Sequence, residues 1–248
     1  MAINLDELRR KHEELSGGAK AKSNQSFLDN FLRLEDGTNL IRILPWKDDE
    51  KQFYAETKIH RVEMNDGMAK NFHCRKVHNK ECPLCDTYYA LWKKSTDKDD
   101  EFANKARLIK ARERYYMNVV SRTDNGDQPV KILSVGVMVF KKIIGTMLDE
   151  DFGDITDLQS GHDFKIVKVM EGMWPKYDQS QPRPKPEVAG SDKSIAVWMD
   201  SLHDIHALVR LEEYTAVKEA AEAVFPLTEN RPVESSGEED NEYLKKLV

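Results

Sequence analysis

The three cysteines of the chain lie within twelve residues of one another, in the stretch HCRKVHNKECPLCD at 73–86. Cys82 and Cys85 form a C-x2-C pair, and this spacing allows two thiolates to bind one tetrahedral metal ion. Cys74 lies eight residues before Cys82 and can supply a third sulfur. Because a structural zinc ion takes four ligands, the pattern predicts a histidine as the fourth ligand.

Three histidines lie near enough in sequence to be that ligand. His73 is adjacent to Cys74, and neighbouring side chains diverge in an extended chain. His78 lies midway between Cys74 and Cys82, where a loop can present it. His60 lies fourteen residues before Cys74 in a predicted strand, which would hold a ligand rigidly. Spacing alone does not distinguish His60 from His78.

Two other interpretations of the cysteines remain open, namely three reduced thiols packed in a small core and a catalytic zinc site. Zinc deaminases combine H-x-E with P-C-x-x-C. In this chain Pro83 lies inside the cysteine pair, and Glu63 follows His60 by three residues instead of two. A set of three cysteines and one histidine also leaves no open position for a reactive water. We therefore expect one structural zinc ion as the cofactor.

Basic residues are concentrated at 105–122, although the chain has a net charge of −6. The segment 111–122 alternates as a strand, which places Arg112, Arg114 and Tyr116 on one face and Tyr115 on the other. At most one of the two tyrosines then needs to be core. Cations that follow phosphates, beside rings that stack on bases, are typical of single-stranded nucleic-acid binding. A solvated basic strand with one core tyrosine explains the composition equally simply. The candidate DNA-binding residues here are Lys110, Arg112, Arg114, Tyr115 and Tyr116.

A second mixture of aromatic and basic residues lies in the proline-rich segment 172–190, which is predicted to be a loop. Its candidate DNA-binding residues are Trp174, Lys176 and Tyr177. Two such mixtures in an acidic chain favour a nucleic-acid partner. The acids cluster elsewhere, at 149–157 and 234–242, and both acidic runs are typical of solvated surface.

Length and periodicity indicate the fold class. The 248 residues include no apolar run near the ~18 that a spanning helix needs. The first residues lack a signal-peptide pattern, so we expect a chain retained in a reducing cytosol, where disulfides are rare. Short strands around turns, with helices inserted and appended, predict an α+β protein with a mostly β core shaped as a small barrel. Strands are predicted at 39–46, 53–64, 111–122, 129–140 and 163–171, and helices at 84–94, 140–148, 194–209 and 211–225.

Beyond these separate patterns, the chain resembles the T-even-type bacteriophage single-stranded DNA-binding, or helix-destabilising, proteins over roughly residues 26–225. NLIRILPW, the C…CPLC cluster, LIKARERYYMNVV and FKIVKVMEG…YDQS carry the resemblance. It implies an OB-type barrel with an inserted zinc subdomain at about 58–95 and appended helices at 194–225. It also implies three regions: an N-terminal arm and linker at 1–25, a DNA-binding core at 26–226 and an acidic tail at 227–248.

The resemblance also implies which residues act and on what. Zinc is expected on His60, Cys74, Cys82 and Cys85, which decides against His78. A protein of this kind coats single-stranded DNA without sequence preference during bacteriophage replication, recombination and repair, in the cytoplasm of the infected bacterium. It is no enzyme and has no membrane partner. Its arm contacts further copies along the strand, and its tail recruits replication and recombination proteins. A zinc-dependent nucleic-acid-modifying enzyme and a protein-binding zinc module are the alternatives. Tyr115, Tyr116 and Tyr177 match aromatic residues of the family's DNA cleft, and Arg112 and Arg114 match its basic run.

Overall fold

The structure is a computed structural model that describes residues 27–48, 50–64, 67–123, 129–172 and 174–225. The predicted arm at 1–25 and acidic tail at 227–248 lie outside the described residues. The described chain forms two compact units. The first unit comprises 27–56 and 113–209, and the second comprises 57–112 and 210–225.

The described residues contain both strands and helices, which are numbered in chain order. The strands are β1 (Gly37–Ile43), β2 (Tyr54–Glu63), β3 (Ala69–His73), β4 (Arg112–Ser121), β5 (Val130–Val135), β6 (Phe164–Glu171), β7 (Trp174–Lys176) and β8 (Gln181–Pro182). The α-helices are α1 (Pro83–Lys94), α2 (Glu101–Ile109), α3 (Val137–Met147), α4 (Asp192–Asp200) and α5 (Tyr214–Val224). A short 3-10 helix spans Arg75–His78. Within the described ranges, no helix has both the length and the apolar character that crossing a bilayer demands.

An antiparallel sheet forms the centre of the first unit. β1 pairs with β4 on one side and β6 on the other, with Ile43 opposite Val119 and Ile41 opposite Phe164. β5 extends the sheet from β4, and the short strands β7 and β8 both pair with β6. This mixed α/β architecture around an antiparallel sheet confirms the predicted class in outline.

The strand β4 is buried on both of its faces. Met117 and Val119 belong to the main core, which α3 covers. Val120, on the opposite face, packs in a second core with Leu202. Asn118 is buried on that face, and its side-chain amide exchanges two hydrogen bonds of 3.0 Å with the backbone of His203. Because a buried amide is costly unless it is paired, this exchange fixes the segment after α4 onto the strand.

The second unit joins a β-hairpin to three helices. β2 and β3 pair in antiparallel register, with His60 opposite Phe72. Val62 and Leu84 share one core with Val217 of α5. Asp100 directly precedes α2, and its carboxylate caps the helix by accepting a 2.7 Å hydrogen bond from the Ala103 backbone N–H.

The structure corrects several element predictions. The strand predicted at 129–140 ends at Val135, and Gly136 caps α3, which begins three residues before the predicted helix. An apolar run of this length fits a buried strand and a buried helix equally well, so periodicity could not place the boundary. The loop predicted at 172–190 contains β7 and β8.

The predicted helix at 194–209 also ends early, at Asp200. Leu202 and Ile205 are nevertheless buried, so their spacing reflects packing in an irregular segment. The helix α2 was not predicted, and its second half was considered only as part of the basic run at 105–122. By contrast, α1, α5, β1, β2, β4 and β6 lie where helices and strands were predicted, within three residues at each end.

A buried ionic network fastens a long connection to the sheet of the first unit. Arg42 has no exposed surface, and its Nε lies 2.8 Å from an oxygen of the buried Asp163 carboxylate. Arg122 donates two further hydrogen bonds to that carboxylate, at 2.8 and 2.9 Å. The same guanidinium groups donate to the backbone carbonyls of Glu187 and Ala189. The segment 187–189 is therefore held by two arginines that depend on one carboxylate.

Replacing the Asp163 carboxylate is expected to destabilise the folded state strongly. Asp163→Asn leaves the Arg42 charge buried without a counter-charge, which should lower the free energy of unfolding by about 3–5 kcal/mol. Glu101→Gln breaks an exposed i,i+4 pair with Lys105 and should change it by less than about 0.5 kcal/mol. Urea denaturation of both variants at pH 7 makes the comparison, and equal losses would contradict the role of Asp163.

The network also predicts an acid sensitivity. Burial raises the pKa of Asp163, but the hydrogen bonds from Arg122 and Arg42 outweigh burial and lower it below its usual value. The folded state therefore gains stability above the unfolded pKa of about 4, and loses it as the pH falls through the lowered folded pKa. Unfolding measured between pH 7 and pH 3 should show a smaller acid-induced loss for Asp163→Asn than for the unsubstituted protein.

Candidate metal centre and nucleic-acid interface

Four side chains converge inside the second unit. One donor atom from each of His60, Cys74, Cys82 and Cys85 lies within 4.8 Å of all the others. The Sγ atoms of Cys74 and Cys85 are 3.5 Å apart. The His60 Nε2 atom lies 3.5 Å from the Cys82 Sγ and 3.6 Å from the Cys85 Sγ. The structure thus brings together the four residues that the resemblance implied.

These separations fit one tetrahedral ion. With metal–sulfur bonds of about 2.3 Å and a metal–nitrogen bond of about 2.0 Å, tetrahedral angles place two sulfurs about 3.8 Å apart and a sulfur and nitrogen about 3.5 Å apart. The observed separations of 3.5, 3.5 and 3.6 Å lie close to both values. Three sulfurs and one imidazole nitrogen are also a donor set that Zn²⁺ accepts in structural sites.

Local structure explains how distant residues reach one point. His60 is inside β2, and Cys74 directly follows β3, where its backbone N–H donates to the Lys58 carbonyl at 2.7 Å. Cys82 caps the N-terminus of α1, and Cys85 lies in its first turn. Pro83 occupies the first helical position, where a missing N–H costs nothing. A hairpin thus supplies two donors and a helix start supplies the other two.

Hydrogen bonding decides between the histidines. The Nδ1 atom of His60 lies 2.7 Å from the Ile109 carbonyl oxygen, so Nδ1 carries the proton and Nε2 faces the sulfurs. The Nδ1 atom of His73 lies 3.0 Å from the Thr57 hydroxyl, outside the cluster. The buried Nε2 atom of His78 has no hydrogen-bond partner among the described residues and does not join the cluster either. The group that His60 contacts at Ile109 is a backbone carbonyl, so no residue type in the sequence could predict this hydrogen bond.

The clustered donors change one another's pKa values. Hydrogen bonds from Cys74 and Cys85 lower the pKa of Cys82, so a first thiolate forms there readily. Contacts with Cys74 and Cys82 in turn raise the pKa of Cys85, because a further negative charge would form beside the first. Burial lowers the pKa of His60, but hydrogen bonds to Cys74 and Cys82 outweigh it and raise the pKa to about 9. A cation bound among the four donors would offset the repulsion between thiolates and let further thiols ionise as ligands.

The predicted basic residues follow one another along the chain from α2 into β4. Lys110 caps the C-terminus of α2 and is exposed. Arg112 is exposed at the start of β4, and Arg114 is partly exposed two residues later. Neither arginine forms an ion pair with another residue in the part of the chain that the structure describes. Their charges are therefore available to a phosphate.

The expectation that at most one of the two tyrosines is core is wrong. Tyr115 is 7% exposed and its ring stacks on Phe140, with 3.7 Å between centroids and 8° between planes. Tyr116 is 6% exposed on the other face, and its ring meets Phe31 edge-on at 6.2 Å. Burial raises the pKa of both phenols. Since β4 is covered on both faces, neither ring presents an open face for stacking in this structure.

The second predicted group is more accessible. Trp174 is 63% exposed on β7. Lys176 is exposed on the same face of this short strand, 3.3 Å from the Glu171 carboxylate. Tyr177 is partly buried against the core of the first unit. Trp174 is therefore the most exposed aromatic side chain among the predicted DNA-binding residues.

The ligand geometry leads to a direct test. His60→Ala and Cys82→Ser should each abolish stoichiometric retention of added Zn²⁺ and lower the melting temperature, because a structural ion contributes folding free energy. His78→Ala is the matched control, since it removes a partly buried imidazole outside the cluster, and it should retain the ion. Metal content by mass spectrometry and melting curves with and without chelator measure both effects. Loss of the ion in His78→Ala with retention in His60→Ala would contradict the ligand set.

Comparison with known proteins gives a family. A family model described as "gp32 DNA binding protein like" matches residues 35–228. No curated protein sequence matches the chain. The matched range contains the four clustered donors, the basic residues from Lys110 onward and the exposed Trp174. Because the match covers well over half of the 248 residues, the chain belongs to the gp32-like family of DNA-binding proteins.

Proposed function

We propose that this protein binds single-stranded DNA without sequence preference and coats it during bacteriophage DNA replication, recombination and repair. Membership of the gp32-like DNA-binding family is the observation that carries the proposal. We further propose that the sheet of the first unit is an OB-type barrel, a fold that often binds single strands. In this proposal the protein has no catalytic role.

The proposed phosphate contacts are Lys110, Arg112 and Arg114. They lie within five residues of chain, and the two arginines are one strand period apart, so their guanidinium groups can follow successive phosphates. Arginine keeps its charge at every physiological pH. Such contacts are independent of base identity, which suits a protein that coats DNA of any sequence.

The main proposed base contact is Trp174. Lys176 and Tyr177, which follow it on and after β7, are proposed to contact the same DNA strand. An exposed indole can stack on any base, because every base has a π-face. Tyr115 and Tyr116 remain proposed DNA-binding residues by their match to the family. Because both rings are buried, we propose that they support the binding surface by packing beneath it. Either ring could stack on a base only after that surface opened.

The proposed cofactor is one structural zinc ion on His60, Cys74, Cys82 and Cys85. These donors come from the β2–β3 hairpin and the start of α1, so an ion would fix two elements that share a core. Four protein donors fill a tetrahedral ion and leave no position for substrate. This filled donor set argues against a zinc-dependent nucleic-acid-modifying enzyme.

The acidic run at 149–157 gives no further support to the alternative of a zinc-dependent nucleic-acid-modifying enzyme. Asp149 accepts a hydrogen bond from the Asp151 backbone, and Asp154 accepts two from Thr156. Asp157 accepts backbone hydrogen bonds from Gln159 and Ser160. These carboxylates cap their own turns, as solvated loops commonly do.

The proposed partners besides DNA rest on sequence outside the described residues. We propose that the arm at 1–25 contacts further copies along the strand, and that the acidic tail at 227–248 recruits replication and recombination proteins. The proposed location is the cytoplasm of the infected bacterium. A protein-binding zinc module is the remaining alternative, and DNA titration separates it from the proposal.

Salt dependence tests the phosphate contacts. Affinity for a labelled oligo-dT strand should fall steeply with salt, because phosphate contacts release counterions. Arg112→Ala or Arg114→Ala should each flatten the slope of log K against log salt by about 0.7. Lys193→Ala, which removes an exposed cation on α4, is the control and should leave the slope unchanged. Unchanged slopes in both arginine variants would exclude these residues as phosphate contacts.

Substitution of the exposed tryptophan tests stacking. Trp174→Leu should weaken binding to single strands by about 1–3 kcal/mol and leave the salt slope intact, whereas Trp174→Phe, which retains a ring, should lose less. Fluorescence anisotropy with single-stranded and duplex DNA of equal length gives both affinities. If the duplex binds as tightly as the single strand at physiological salt, base stacking does not contribute and only the electrostatic part of the proposal survives.

A further inference from the structure

An aromatic ladder of three rings lies on α1 in the second unit. The rings of Tyr88 and Tyr89 are 5.2 Å apart at 71°, and the rings of Tyr88 and Trp92 are 6.3 Å apart at 76°. Each neighbouring pair meets edge to face, which is a favourable arrangement for aromatic rings. None of these residues belongs to the DNA-binding residues proposed above.

One member of the ladder, Tyr89, is not packed in the core. Tyr88 and Trp92 are partly buried against the core of the second unit. Tyr89 is 40% exposed, and the exposed residues Asp86 and Lys93 lie about one helical turn before and after it. Core formation therefore accounts for Tyr88 and Trp92 but leaves the exposure of the Tyr89 ring unexplained.

One lysine lies over this exposed ring, and two more are exposed on and before the same helix. The Lys76 Nζ atom lies 5.2 Å from the centroid of the Tyr89 ring, within range of a cation–π contact. Lys93 is exposed one helical turn after Tyr89, and Lys80 is exposed in the loop before α1. Residues 75–94 contain five lysines and arginines against two acids, Glu81 and Asp86, although the whole chain is acidic.

The clustered donors lie close in sequence to both Tyr89 and Lys76. Cys85 lies one turn before Tyr89 on α1, and Cys82 caps the same helix. The 3-10 helix that carries Lys76 begins directly after Cys74. The ring and the lysine over it are thus each within four residues of a clustered sulfur, so the cluster fixes both relative to each other.

We infer that Tyr89, together with Lys76, Lys80 and Lys93, forms a single-strand contact surface on the second unit. The Tyr89 ring stacks on a base, and the three lysines contact the adjoining phosphates. An exposed ring framed by cations is the combination that sequence-independent single-strand binding uses. This inference rests on the proposed function and adds a contact surface to it.

Two substitutions at Tyr89 test the inference with the full chain in its metal-bound form. Tyr89→Leu should weaken binding to oligo-dT about five- to 150-fold, which corresponds to the range for loss of one stacked base. Tyr89→Phe keeps the ring and should bind nearly as well as the unsubstituted protein. Lys80→Ala and Lys93→Ala should each flatten the salt slope by about 0.7 instead.

Tyr214→Leu is the matched control. Tyr214 is 42% exposed in the same unit and also faces a cation, with the Arg75 guanidinium 5.4 Å from its ring. Glu212 and Glu213 precede it directly, and these acids disfavour a nearby phosphate. Tyr214→Leu should therefore leave DNA affinity unchanged. Equal losses in the two leucine variants would overturn the inference.

The remaining outcomes separate this inference from the function on which it rests. If the unsubstituted protein binds oligo-dT and Tyr89→Leu binds it equally well, the surface has another role, such as contact with a protein, and the inference alone is wrong. If the unsubstituted protein does not bind oligo-dT, the proposed function is wrong as well. Metal content and melting curves of each variant distinguish a lost affinity from a lost fold. Because Tyr89 is an exposed residue, its variants should stay folded.

Discussion

The second unit is organised around one electrostatic constraint: three sulfurs and an imidazole occupy a volume in which a second thiolate is disfavoured beside the first. A metal cation bound there would relieve that repulsion and would make ligands of four buried groups. The donors come from β2, the end of β3 and the first turn of α1, and the end of α2 contributes the Ile109 carbonyl that orients His60. Because one point joins four elements, small displacements of any donor would be felt across the whole unit.

The first unit depends on burial instead of coordination. Its strand β4 carries apolar side chains on both faces, so the two tyrosines that sequence alternation set apart are both covered. Aromatic rings that are exposed lie elsewhere, at Phe27 and Trp174 of the first unit and at Tyr89 and Tyr214 of the second.

Sequence reasoning located the metal donors well because their chemistry is carried by rare residue types at restrictive spacing. It could not choose between His60 and His78, since that choice depends on a backbone carbonyl of a helix that was not predicted. It expected at most one of Tyr115 and Tyr116 to be core, because strand alternation gives no sign that Phe31 packs against Tyr116. The boundary at Gly136 was missed because a continuous apolar run is compatible with either strand or helix.

The second unit is assembled from two distant pieces of chain, because α5 packs with Leu84 and Leu91 across more than a hundred residues of sequence. During synthesis, the hairpin, the cysteines and α1 leave the ribosome first, and the whole segment 113–209 must follow before Val217 can complete their core. Translation proceeds at roughly 5–20 residues per second, so this interval lasts several seconds. Throughout it, the nascent thiols and the apolar side of α1 lack their final cover. Early metal capture would shelter the cysteines, and a chaperone would shelter the helix.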